Sequence, residues 1–126
     1  MCNTKFIKRK ELAKILNIND MTLWKLIKRD NEFPVNYLRN KMIFDKNQVL
    51  NYLSNKYIDD DFSKITKLID IKESAKILRV SNPVMRKLAK EDVDLQYFRV
   101  GNLYRFSEGQ LIEYVKRKIY RGNKNG

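Results

Sequence analysis

The apolar positions of this chain change period in a fixed order, and the whole series then occurs a second time. Leu12, Ala13, Ile15 and Leu16 lay one stripe on a helix, Asn17-Ile18-Asn19 interrupts it, and Leu23, Leu26 and Ile27 begin another stripe at i, i+3, i+4. Two short helices joined by a turn of about three residues, with Ile18 buried at the corner, form a helix-turn-helix. The period then drops to two: Val35-Asn36-Tyr37-Leu38 and Met42-Ile43-Phe44 predict a β-hairpin around Arg39-Asn40-Lys41. A closing helix follows, with Asp45 as N-cap and Val49, Leu50, Tyr52 and Leu53 on its apolar side.

The tetrapeptide AKIL stands at 13–16 and again at 75–78, and an offset of 62 residues pairs Phe6 to Leu53 with Leu68 to Val115 without a gap. About 15 of those 48 pairs are identical, among them Lys10/Lys72, Lys25/Lys87, Asn40/Asn102, Phe44/Phe106 and Tyr52/Tyr114; a register held that long marks a duplicated unit. In the second copy Val80 takes the corner, Ser81 is the expected N-cap, and Pro83 falls in the first helical turn, where an N–H is not needed. Tyr97-Phe98-Arg99-Val100 and Leu103-Tyr104-Arg105-Phe106 flank Gly101-Asn102, a tight hairpin turn. Ser107 then caps a helix bearing Leu111, Ile112, Tyr114 and Val115. The expected organisation is one unit over 1–58, a linker over 59–67, a second unit over 68–119 and a flexible basic tail over 120–126. The expected class is mainly α with small β-hairpins.

Charge narrows the partner. Lysine and arginine number 27 against 15 aspartates and glutamates, a formal net charge of +12. Such an excess attracts polyanions before any specific contact forms, with nucleic acid the first candidate and an anionic membrane surface or acidic protein its rivals. Catalysis is poorly provided for. There is no histidine, and Cys2 is the only cysteine, which removes an imidazole base, a Cys/His zinc set and a disulfide. Asp59, Asp60 and Asp61 are consecutive in the linker and do not converge from separate elements. The expectation is a protein that is not an enzyme, with no cofactor and no metal. No run approaches the roughly 20 apolar residues of a membrane span, and the N-terminus has no signal-peptide core, which places the chain in the cytoplasm.

The order helix, turn, helix, hairpin, helix, together with V-S-x-x-x-x-x-x-L at 80–88 and R-V-G-N-x-Y-R-F at 99–106, resembles the excisionase and MerR-type winged helix-turn-helix domains. The first copy, with N-E-F-P before its hairpin and M-I-F-D-K-N-Q-V-L-N-Y-L after it, is similar to the AlpA-like branch of that group. The resemblance implies two tandem winged helix-turn-helix domains that bind double-stranded DNA in sequence-specific fashion. The implied role is a transcription regulator or an excisionase-like recombination factor of a bacterium, phage or mobile element. It further implies a nucleoid-associated monomer or DNA-assisted oligomer, with a recombinase, integrase or RNA polymerase as protein partner. A different class of function is an interaction adaptor on the same scaffold, for which the acidic run Glu91-Asp92-Val93-Asp94 is the place to look.

A helical wheel selects the residues for such an interface. With Leu23 at the apolar centre and about 100° per residue, Met21, Lys25 and Lys28 point outward, flanked by Thr22 and Arg29. Pro83, Lys87 and Lys90 do so in the second copy, where Asn82 opens the helix. Lysine can donate to guanine edges in a major groove, and threonine or methionine can pack on thymine methyls. The plain alternative is the wet side of an amphipathic helix. Trp24 and Arg86 share the helix margin, which in the resembled family meets the sugar-phosphate backbone; a tryptophan there can equally cap the local core. Arg39 and Lys41 in one hairpin, and Arg99, Asn102 and Arg105 in the other, are candidates to enter a minor groove or clamp phosphates. Residues 1–58 carry 12 basic and 5 acidic side chains, whereas 62–115 carry 10 and 7, so the first copy is expected to be the stronger anchor.

Overall fold

The computed structural model describes residues 6–55, 62 and 64–124. Among them, six helices and small antiparallel sheets make a mixed α/β fold where a mainly helical one was expected. The two halves run through the same elements at the offset of 62. In the first, α1 (Arg9–Leu16) and α2 (Asp20–Arg29) precede β2 (Asn36–Leu38), β3 (Lys41–Asp45) and α3 (Lys46–Leu53). In the second, α4 (Ile71–Leu78) and α5 (Asn82–Glu91) precede β4 (Phe98–Val100), β5 (Leu103–Arg105) and α6 (Glu108–Lys124). A short strand β1 (Phe6–Ile7), too brief to show a period, pairs with β3; its counterpart is the bridge between Ile69 and Phe106.

Local chemistry explains the boundaries. Both first helices end on a left-handed residue, Asn17 at φ 59° and Arg79 at φ 58°. The next N–H turns back five residues, from Ile18 to Ala13 O and from Val80 to Ala75 O, each at 3.0 Å. The Asn19 side chain accepts the Thr22 N–H at 2.7 Å, and Ser81 accepts that of Val84 at 3.3 Å, capping α2 and α5. The first hairpin closes with two residues, Arg39 (φ 52°) and Asn40 (φ 70°), not three; Lys41 is therefore already in β3. Asp45 caps α3 as expected, accepting from Asn47 and Gln48 N–H. Helix α6 continues to Lys124, so most of the expected flexible tail is helical, and residues 125–126 lie outside those described.

A latch repeats in both halves. The Tyr52 hydroxyl donates to Asp30, and that of Tyr114 to Asp92, each at 2.5 Å, tying the closing helix to the end of the second helix. The bond to Asp30 pushes Tyr52 up to about 12. The bond from Tyr114, assisted by Lys118, holds Asp92 below the usual carboxylate range. Because the folded-state value is depressed, the stabilisation from Asp92 is present above about pH 4 and is lost as pH falls through the folded value. Tyr114→Phe should therefore cost about 1–2 kcal/mol at neutral pH and much less in acid, read from urea unfolding at both pH values.

The halves are not beads on a string. The first hydrophobic core, built on Leu12, Leu16, Leu23, Phe44 and Leu50, continues without a break into Phe62, Leu68, Phe98 and Val100. Phe62 is buried, with its ring edge-on to Phe98 at 5.6 Å, and its N–H donates to Asn47 Oδ1. Leu68 N–H reaches Ile15 O at 2.7 Å, and Lys46 Nζ reaches Ile65 O at 2.7 Å. The expected linker is thus, in its described residues, a packed strap; 59–61 and 63 lie outside those described. After α3 the chain is added as a strand segment to β4. Ser54 bridges Phe98, Asn55 N–H donates to Tyr97 O at 3.0 Å, and Tyr97 N–H donates to Asn55 Oδ1 at 2.9 Å.

Candidate nucleic-acid interface

The second half gathers its expected site residues in one groove. Asn82, Arg86 and Lys90, four residues apart, form one wall along α5; Arg99 and Asn102 come from the hairpin, and Lys72 from the start of α4. All six are exposed. The Arg99 guanidinium lies 5.0 Å from the centroid of the Tyr104 ring, which holds it at the rim. Arg86, Lys90 and Arg99 make no ion pair among the described residues. Three elements thus hold unpaired cations around a groove flanked by two amides. Lys72 was missed by the helical wheel, because it sits on the first helix and faces the groove only once the hairpin is in place.

Arg105 does not belong to that exposed set. It reaches inward, Nε to Leu16 O at 3.0 Å and Nη2 to Asn17 O at 2.9 Å, while Nη1 donates to Tyr104 O. Burial pulls its guanidinium below the usual value, and Asp70 acts in the opposite direction. The wing residue expected to clamp DNA is a clasp between the two halves, because the end of α1 leaves carbonyls without helical partners. Lys87, exposed as expected, lies on the other flank of α5, in a groove with Glu91, Asp92 and Lys118.

The equivalent groove of the first half is lined by Lys8, Arg9, Lys10, Asn40, Lys41 and Met42, each the counterpart of a residue in the second. No residue of α2 lines it, and the α2 positions that correspond to the second half's helical wall differ. Asp20 replaces Asn82 and takes both ends of Arg9, at 2.7 and 3.1 Å, which holds the Asp20 carboxyl below its usual range. Trp24 replaces Arg86 and is partly exposed, with Lys28 Nζ 5.2 Å from its ring centroid. Tyr37 replaces Arg99 and is 64% exposed, whereas Tyr114 is buried. Met21, Thr22, Lys25 and Arg29 are exposed along α2, as are Arg39 and Lys41 at the hairpin tip. Lys8 and Lys10 were missed; the run K-R-K at 8–10 was their signal. By whole-half charge the first copy leads; among the described residues Lys8, Lys10 and Lys41 line its groove without an ion pair, and Lys72, Arg86, Lys90 and Arg99 do so in the second, which Asp70 also lines.

The hairpin β4–β5 also adjoins α2: Gly101 packs against Leu26, and an open groove between them is lined by Asp30 and Tyr52 on one side and Arg99 on the other. One hairpin therefore neighbours the second helix of both halves. Of the acidic run proposed for an adaptor, Asp92 and Asp94 are engaged internally, whereas Glu91 and Val93 are exposed. Asp92 accepts from Tyr114, and Lys118 lies 3.2 Å from Asp92 and 3.3 Å from Asp94. Among the described residues no helix is long and apolar enough to cross a membrane. Comparisons with protein-family models, curated proteins and solved structures find no match to this chain.

Proposed function

We propose that this protein binds double-stranded DNA with two winged helix-turn-helix units, α2 and α5 being the groove-facing helices and β4–β5 a wing shared between them. The observation that carries this reading is the meeting of Arg86, Lys90, Arg99 and Lys72, with Asn82 and Asn102, in a single groove between helix and hairpin. Unpaired cations on two walls suit a phosphate backbone, and amides at the rim suit base edges or sugars. The reading includes no catalytic step, and its role is that of a transcription regulator or an excisionase-like recombination factor in the cytoplasm. The contact between the halves, clasped by Arg105, supports a fixed spacing of the two helices on the duplex in place of a tethered search.

The test is a mobility shift on duplex DNA across a salt series. Binding should weaken steeply with salt, as counterion release requires, and a preferred site should survive competitor DNA. Lys25→Ala should cost about 1 kcal/mol or more, and Lys87→Ala less, because Lys87 sits beside Glu91 and Asp92. Equal losses would assign both lysines to diffuse attraction.

A further inference from the structure

The contact between the halves leaves two unmatched surfaces, one at each end. In the second half, Leu68, Phe98 and Val100 stand on the face turned toward the first half, buried at 0%, 0% and 2%, and Arg105 clasps from the same face. Their counterparts at the offset of 62 are Phe6, Asn36, Leu38 and Ile43. Strand pairing of Phe6 with Asp45, Asn36 with Ile43 and Leu38 with Lys41 puts those residues on one face of the first sheet. There Phe6 is 51% and Leu38 62% exposed. The first half thus turns Phe6 and Leu38 to solvent, on a face they share with Asn36, Ile43, Lys41 and Asp45, where the second half packs its equivalent apolar residues.

The receiving surface shows the converse. On the first half it includes Leu16, fully buried, with Leu26 packed beside it. The counterpart of Leu16, Leu78, is only partly buried; Leu88 is partly buried as Leu26 is, and beside it Val93, where the first half has Asn31, is 80% exposed on the loop after α5. One end of the molecule therefore carries the inserting surface and the other the receiving surface of the same contact.

We infer that copies of this chain associate head to tail, the Phe6–Leu38 face of one molecule seating on the Leu78–Leu88–Val93 end of the next and repeating the relation between the two halves. Such a heterologous contact does not close on itself as a two-fold dimer does, so it extends into open chains. It is weaker than the internal contact for two visible reasons. Ile43 stands where Arg105 makes its clasp, and α6 continues as a helix where the first half leaves Ser54 and Asn55 to pair with β4. The inference rests on the duplication and does not require DNA.

The experiment is sedimentation velocity of the full chain without nucleic acid, over a concentration series to about 1 mM. Wild type should gain mass continuously with concentration. Leu38→Glu and Val93→Glu, both at exposed positions, should each remain monomeric with unchanged thermal unfolding, the association weakened at least about tenfold. Mixed in equal amounts they should form a one-to-one dimer that grows no further, because each retains the end the other has lost. Wild type monomeric throughout, a mixture that stays monomeric where wild type associates, or a Val93→Glu protein that still self-associates as wild type does would each overturn the inference.

Discussion

Phe98→Ala should lower the stability of the whole chain by about 3–5 kcal/mol, and should do so in the first half as well as the second. Phe98 is on β4, yet its side chain is fully buried in the cluster built on Leu12, Leu16, Leu23 and Phe44, edge-on to Phe62. Removing the ring opens a cavity between the halves. Its cost is a large fraction of the roughly 5–15 kcal/mol that holds a typical protein folded. Trp24, the chain's single tryptophan, reports on the first half alone. Its fluorescence transition in urea should move together with the far-ultraviolet signal and to the same extent. Two independently folded units would behave otherwise, with the Trp24 transition staying in place while the second half melts early. Leu38→Ala, the counterpart of a change at Val100, should shift stability by no more than about 0.5 kcal/mol, since Leu38 is largely exposed.

The second large effect concerns binding. Replacing Arg86, Lys90 and Arg99 together by alanine should weaken duplex binding by about 100-fold near physiological salt. The slope of log affinity against log salt should also fall by about 2.7. The three side chains are exposed and make no ion pair among the described residues, so their loss removes attraction without breaking the core. A charge-matched control separates the groove from the net charge of +12. Lys64, Lys67 and Lys76 are exposed and do not line the groove. Their joint replacement by alanine should cost less than about fivefold.

Much of the architecture was legible because it is written twice. The register of 62 carries the two helix pairs with their turns, the Ser81 cap and the two hairpins, whereas the αL stops at Asn17 and Arg79 and the two Tyr–Asp latches repeat at the same offset but emerge only in the structure. What escaped was the relation between the copies, since periodicity says which side of an element is apolar but not which core receives it. The clue lay in positions where the copies differ in character. Phe98 and Val100 face Asn36 and Leu38 across the alignment, and Arg105 faces Ile43. Those differences record one hairpin that packs against a neighbour and one that does not. The helical wheel likewise found the exposed side of α5 but could not know that the hairpin lies along only one flank of it. Arg86 and Lys90 therefore share the groove, and Lys87 does not.

The most direct measurement is a selection of bound duplexes from a random pool by the full chain, near 0.15 M salt and with competitor, followed by hydroxyl-radical footprinting. The expected result is an enriched sequence whose protection lies on one side of the duplex and disappears when Arg86, Lys90 and Arg99 are alanine. The contrary result is a pool with no enriched sequence and a footprint no different from uniform cover, which would leave the groove without a duplex to hold.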